Sequence, residues 1–176
     1  MSATAHSGCP VETPELRSES FTISVPRTAD FARVLEIFAA LGPNYECDPE
    51  SSVARSVYMN YVRGLDKRGF VAKVDSVVAG VILFELSPML SRRYIQIRHD
   101  GLAVDLAYRK RGIGVGLLRK VLAFSCARGA TNVLIKASEP GVIALYRSLP
   151  EIEERGIYFY YTPPEGSARN VDFRHS

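Results

Sequence analysis

Three consecutive basic residues followed by spaced glycines form the stretch of this chain best suited to chemistry. The basic residues are Arg109–Arg111, and they precede Gly112, Gly114 and Gly116. Such glycines permit a tight turn whose backbone amides converge on one target. A helical pattern follows at once, so the turn lies at a helix N-terminus, where free N–H groups and the helix dipole favour an anion. The stretch therefore predicts a phosphate site.

A strand and a helix must hold this turn in place. Leu102, Val104 and Leu106 alternate with smaller or polar residues, which predicts a strand. Apolar residues then recur at helical spacing from Leu117 to Ser125, and Arg128-Gly129 provides a helix stop. The phosphate site is thus expected between a strand and an amphipathic helix.

The glycine spacing excludes two common phosphate-binding loops. A dinucleotide-binding turn reads G-x-G-x-x-G, but the sixth position counted from Gly112 is Leu117. The Walker A pattern G-x-x-x-x-G-K-[ST] occurs nowhere in the sequence. The pattern that does occur is R-x-x-G-x-G, formed by Arg109, Gly112 and Gly114. An ordinary strand, turn and helix with solvated basic side chains is the alternative interpretation.

This motif, in this setting, resembles that of the GNAT superfamily of acetyl-CoA-dependent N-acetyltransferases. The resemblance implies that amides of the turn hold the pyrophosphate of coenzyme A, while the preceding strand offers backbone groups to the pantetheine arm. It also implies an α/β fold of the α+β type, with a mixed, mostly antiparallel central sheet, helices on both faces and a splay between the two central strands. The matching coenzyme-binding positions are Leu102, Ala103, Val104, Arg109, Lys110, Arg111, Gly112, Ile113 and Gly114.

Acetyl transfer from a thioester to an amine needs an uncharged nucleophile, a stabilised oxyanion and a proton for the departing thiolate. In the family, a Tyr within a pattern like N-x-x-A-x-x-x-Y assists the sulfur, and E-P-G-V-I-A-L-Y places Tyr146 there. Glu139 replaces the Asn that heads the pattern and is the coenzyme-binding candidate at that position. The resemblance makes the backbone N–H of Val104 the oxyanion donor, provided that a bulge frees it from the ladder. The alternative for Tyr146 is a core aromatic with a wet hydroxyl.

The general base is open between two neighbouring residues and water. Asp100 and His99 are consecutive on the predicted strand, so their side chains point to opposite faces. Asp100 shares the parity of Leu102 and Val104 and is the candidate base, whereas histidine as a residue type titrates near neutral pH. Family members also use ordered water. A bulge at Asp100, beside Gly101, is an equally good interpretation of this residue.

Length and composition favour a single domain with a small-molecule or peptide partner. The chain has 176 residues and a net charge of +3, and its basic residues are dispersed apart from Arg109–Arg111. We therefore expect no nucleic-acid and no membrane partner. Cys9, Cys47 and Cys126 lack metal-ligand spacing and are interpreted as reduced thiols. The sequence has no long apolar run and no secretory signal pattern, so the expected location is the cytoplasm. No metal site is expected.

The remaining pattern predicts the other elements of the domain. A strand at Phe21–Val25 leads into two helices, three meandering strands and the helix after Gly112. A buried strand at Val133–Ile135, a helix from Pro140 and an aromatic strand at Gly156–Tyr161 follow.

Composition also sets the expected domain boundaries. Residues 1–20 are rich in Ser, Thr, Pro and Glu and are expected to be a disordered tail. Residues 21–162 are expected to form the GNAT-like domain, and residues 163–176 a C-terminal tail.

Together these expectations predict an N-acetyltransferase that moves an acetyl group from acetyl-CoA directly to a primary amine of a small molecule or protein, in a ternary complex. The alternative is a GNAT-like domain that binds acyl-CoA as a sensor or structural partner without turnover. The sequence leaves open the amine, the acyl-chain preference and the oligomeric state, a homodimer included.

Overall fold

A computed structural model of the chain describes residues 20–42, 48–64, 66–89, 92–128, 132–135 and 140–154. For residues 87–89, 92–100 and 132 it describes the backbone alone. Within these ranges, no helix combines the length and the hydropathy needed to cross a bilayer.

The described strands form one five-stranded sheet whose spatial order follows the chain. Its strands are β1 (Thr22–Ser24), β2 (Lys67–Val74), β3 (Val77–Met89), β4 (Arg92–Val104) and β5 (Asn132–Ile135). The first four strands pair antiparallel, and β5 pairs parallel with β4. The sheet is therefore mixed and mostly antiparallel, as predicted.

Four helices cover the two faces of this sheet. They are α1 (Phe31–Ala39), α2 (Ser52–Arg63), α3 (Ile113–Ala127) and α4 (Pro140–Arg147). One apolar cluster joins α1 and α2 to Val71 and Val81, while another joins α3 and α4 to Phe70 and Ile82. Neighbouring strand residues thus enter different clusters because side chains alternate between the faces of a strand.

Strand β4 bulges just before its last residues. Phe84 of β3 is the register partner of Ile97, whereas Ile82 is the partner of Leu102. Between these pairs β3 has a single residue and β4 has Arg98–Gly101, so the ladder is interrupted on the β4 side. The interpretation of Asp100 as a bulge residue agrees with this register. Strict alternation does not hold across a bulge, so the parity argument for Asp100 loses its basis.

The described pairing between the two central strands runs from Tyr94 with Asn132 to Ile97 with Ile135. The bulge of β4 follows directly after these paired residues. Because residues 136–139 lie outside the described ranges, the splay between β4 and β5 stays a prediction.

The predicted element order is confirmed as far as α4. Strand β3 extends to Met89, and β4 starts at Arg92. The aromatic strand predicted at Gly156–Tyr161 and the two predicted tails, apart from Ser20, lie outside the described residues.

One cysteine expectation is wrong. Cys126, on α3, is disulfide-bonded, so the three cysteines are not all reduced thiols. Cysteine usage therefore no longer supports a cytoplasmic location.

Candidate functional site

The backbone of β4 directs some of its last amides away from β3. Gly80 and Val104 are register partners, and the amide of Asp105 donates to the Ala79 carbonyl at 3.0 Å. This combination makes Gly80 and Val104 a non-hydrogen-bonded pair of the antiparallel ladder. The N–H of Val104 therefore points away from β3, toward the edge of β4 along which β5 pairs earlier in the strand. Leu102 has the same parity and the same orientation.

A turn at Arg109–Gly112 connects this strand to α3. It follows a 3-10 turn at Leu106–Tyr108 and ends on Gly112, whose φ of 78° lies in the left-handed region that glycine tolerates. Lys110 has a left-handed φ of 62°, which costs a residue with a side chain about 1 to 2 kcal/mol. The described residues supply no side-chain cap to α3, so its first-turn amides are available to a ligand.

Two basic side chains of this turn make contacts within the protein. Arg109 donates from Nε to the Val104 carbonyl at 3.1 Å, and the guanidinium of Arg111 lies over the Tyr108 ring, 5.3 Å from its centroid. Arg109 thus ties the turn to the end of β4, in addition to contributing positive charge. Lys110 is exposed.

The start of α3 also meets α4 and the end of β4. A Cβ placed on Gly114 would lie 3.2 Å from Leu145 Cδ2 and 3.8 Å from Val104 Cγ2. Tyr146 follows Leu145 on α4 and belongs to the same apolar cluster as the α3 residues. The structure therefore brings together three predicted parts of the site: the Val104 backbone, the glycine turn and the helix that carries Tyr146.

Tyr146 is a buried ring with an unpartnered hydroxyl. The residue is 8% exposed, and burial raises the pKa of its hydroxyl to about 12. Among the described residues none hydrogen-bonds this hydroxyl, and the oxygen is not one of the fully buried atoms that lack a partner. At physiological pH the hydroxyl is neutral and donates a proton rather than accepting one.

Asp105 is a site residue that the sequence pattern misses. It directly follows β4, and its Oδ1 accepts a hydrogen bond from the Ala107 amide at 2.8 Å. Its Oδ2 pairs with Arg33 Nη2 of α1. An Asp that precedes a helical turn is a typical N-cap, and this signal was available in the sequence, whereas the distant arginine was not.

Three predicted residues have no described side chain. Asp100 and His99 lie in the bulged part of β4, and Glu139 lies outside the described residues. Their roles stay predictions.

A model of the acetyltransferase (GNAT) family matches residues 32–149 of this chain. Among curated proteins, N-acetyltransferase family 8 member 3 of Rattus norvegicus is 33% identical over 95 residues, which are 52% of this chain and 40% of that relative. The chain thus spans well under half of the relative's length. The family match includes the end of β4, the turn and Tyr146.

Solved structures share the fold at low sequence identity. A transcriptional regulator from Bacillus halodurans C-125 has a TM-score of 0.70 and 18% identity, covering 81% of this chain and 100% of that one. The aminoglycoside N-acetyltransferase AAC(6')-Iy in complex with CoA has a TM-score of 0.67 and 15% identity, covering 86% of this chain and 99% of that one. These likenesses establish the architecture.

Proposed function

Since this chain belongs to the GNAT acetyltransferase family, we propose that it transfers an acetyl group from acetyl-CoA directly to a primary amine of a small molecule or protein, with both substrates bound together. The observation that carries the proposal is the joint orientation of two sets of backbone N–H groups. The first-turn amides of α3 have no side-chain cap among the described residues, and the Val104 amide points away from β3.

The coenzyme would bind along β4 and across the turn. Backbone groups of Leu102–Val104 suit the amides of the pantetheine arm, because an extended polar arm can pair with a strand that has lost its neighbour. The amides of the turn and of Ile113 and Gly114 suit the pyrophosphate. Positive charge from Arg109–Arg111 adds to the attraction, and Glu139 would lie near the arm.

Three groups would divide the chemical work. The Val104 N–H would hold the oxyanion formed when the amine attacks the acetyl carbonyl, and one such donor contributes about 10²- to 10³-fold in rate. Tyr146 would donate to the sulfur as its negative charge develops. Asp100, His99 or a water would remove a proton from the amine, since the nucleophile must be uncharged.

Thiol release tests the activity. Purified protein is incubated with acetyl-CoA and a panel of aminoglycosides, polyamines and peptide N-termini, and free coenzyme A thiol is measured. Release that depends on one amine class supports the transferase and names its acceptor. Tight binding of acetyl-CoA with no release across the panel would contradict the transferase and favour a sensor.

Replacement of Gly112 by Ala tests the coenzyme site. A Cβ there meets no protein atom within 4 Å, so the added methyl would enter the open space beside the first-turn amides. The left-handed φ costs about 1 to 2 kcal/mol of stability. We expect weaker acetyl-CoA binding by calorimetry and a smaller thermal shift.

Gly64→Ala is the matched control for this substitution. Gly64 directly follows α2 with a φ of 66°, and the described atoms nearest to its Cβ belong to the guanidinium of Arg68, the closest at 2.9 Å. It carries the same backbone penalty away from the turn, so its coenzyme affinity should be unchanged. Equal acetyl-CoA affinities in the two variants would contradict the assignment of the turn as the coenzyme site.

A further inference from the structure

After β4 the chain turns at residues 104–108, which we call the corner, and side chains contact this corner from two sides. Arg109 binds the Val104 carbonyl from the turn, and Asp105 is bound from α1 by Arg33. Asp105 makes four hydrogen bonds at this corner. Its amide donates to the Ala79 carbonyl, and its carbonyl accepts from the Tyr108 amide. Its two carboxylate oxygens accept from the Ala107 amide and from Arg33. Asp105 therefore orients both the end of β4 and the 3-10 turn at Leu106–Tyr108.

Arg33 makes the corner a tertiary junction. It lies 72 residues from Asp105 in the sequence, and it also donates from Nε to the Val78 carbonyl of β3 at 3.3 Å. Its remaining described contact is an ion pair with Glu36 at 2.8 Å on the same helix. One guanidinium thus connects α1, β3 and the corner.

We propose that Arg33 and Asp105 are a positioning pair for coenzyme binding, which sets the direction of the Val104 amide and of the turn amides. The inference rests on the proposed function, because it concerns how the same site is held. Both groups are partly shielded from solvent, with side chains 33% and 18% exposed, so their interaction is screened less than that of a surface pair.

Charge gives the pair a second effect on the same site. Asp105 places a carboxylate at the entrance to a turn that is expected to bind phosphate, and an unpaired carboxylate there would repel the ligand. Arg33 neutralises the Asp105 carboxylate, while Oδ1 still caps the 3-10 turn by accepting from the Ala107 amide. Loss of Arg33 should therefore harm coenzyme binding more than loss of the charge on Asp105.

A four-protein comparison tests this pair. Wild type, Arg33→Met, Asp105→Asn and the double variant are compared for coenzyme A affinity by calorimetry, for thermal stability and for amide hydrogen exchange without ligand. Asn retains an oxygen that can cap Ala107, which protects the local fold. Glu36→Gln is the matched control, because it removes the other ion pair of Arg33 and leaves the corner intact.

We expect Asp105→Asn to weaken coenzyme A binding about 10-fold, as for loss of one charge-assisted hydrogen bond. Arg33→Met should weaken it further, and the double variant should recover part of that loss because it carries no unpaired carboxylate. Amides of residues 106–114 should exchange faster without ligand in Asp105→Asn, whereas Glu36→Gln should match wild type in exchange and within about twofold in affinity.

Two results would contradict the proposed positioning role of Arg33 and Asp105. One is an additive cycle, in which the double variant is weaker than either single variant. The other is a loss of thermal stability in Asp105→Asn with wild-type affinity and wild-type exchange of the turn, as a purely structural ion pair would give. Failure of the wild-type protein to bind coenzyme A would instead reject the proposed function, while the exchange comparison would still report on the corner.

Discussion

Tyr146 and Tyr58 show how one residue type serves two purposes in this protein. Both rings are buried, but the Tyr58 hydroxyl donates to the Arg27 carbonyl at 3.0 Å, whereas no described residue hydrogen-bonds the Tyr146 hydroxyl. A donor without a protein partner near the end of β4 is available to a substrate. In the proposed reaction, because its pKa of about 12 lies above that of a thiol, near 8.5, it would stabilise the departing sulfur by donating a hydrogen bond rather than by complete transfer.

Replacement of these two tyrosines by Phe should separate activity from stability. Tyr146→Phe keeps the ring and removes an unpartnered hydroxyl, so turnover should fall about 10- to 1,000-fold while stability and coenzyme affinity stay near wild type. Tyr58→Phe should lose about 1 kcal/mol of stability and keep its turnover. Steady-state kinetics with the identified amine and urea denaturation measure the two effects. If Tyr146→Phe turns over at the wild-type rate, the proton comes from water or another hydroxyl.

At this scale the sequence predicts local features better than distant partners. The R-x-x-G-x-G spacing locates the turn because its backbone geometry depends on residues close in the chain. The partner of Asp105 is not predictable in this way, because Arg33 lies 72 residues away and nothing in the local pattern selects it. Asp100 shows a further limit: a period-2 pattern assigns faces only while the ladder is regular, and here it is bulged.

Among the elements, α3 is placed by its close approach to β3. A Cβ on Gly80 would lie 2.8 Å from Ile113 Cγ2 and 3.3 Å from the Ala103 carbonyl oxygen. Ile113 is the first residue of α3 and is 1% exposed. The structure thus identifies the start of α3 as the element that approaches Gly80.

Gly80→Ala should therefore move the first turn of α3 away from the sheet. We expect a loss of about 1 to 3 kcal/mol from overpacking, together with weaker acetyl-CoA binding, because the turn amides are displaced with the helix. Chemical denaturation and calorimetry measure the two quantities.

Gly69→Ala is the control for this element. Its Cβ would lie 2.8 Å from Leu83 Cδ2, which packs with the α1 and α2 cluster on the other face of the sheet. It should lose comparable stability and keep wild-type affinity per folded molecule. The same loss of affinity in both variants would show that general destabilisation, and not the position of α3, weakens binding.

Across the whole molecule, the sheet separates two packing layers that meet at the corner after β4. The α1 and α2 layer contains Tyr58, and the α3 and α4 layer contains Tyr146, so each layer buries a phenol. The general architecture follows from the order and period of the apolar segments. The register of β4 against β5 does not, because it depends on pairing between strands that are distant in sequence.

This burial should make the protein sensitive to alkali. In the folded chain, burial raises the pKa of Tyr146 to about 12, and burial together with the charge of Asp30 raises the pKa of Tyr58 further, while an unfolded chain releases both protons near pH 10. Below pH 10 both states keep the protons and stability is unaffected. Above pH 10 the unfolded state binds fewer protons, so the free energy of unfolding falls as pH rises, by about 1.4 kcal/mol per pH unit for each phenol.

Urea denaturation at intervals from pH 9 to pH 11.5 measures this effect, with the double variant Tyr58→Phe, Tyr146→Phe as the reference for all other titrating groups. Wild type should lose more stability across the interval than the double variant, and the difference should begin near pH 10. Each single variant should remove part of it. Parallel curves for wild type and the double variant would mean that the two phenols ionise in the folded protein as easily as in the unfolded chain, which would contradict their burial in the two layers.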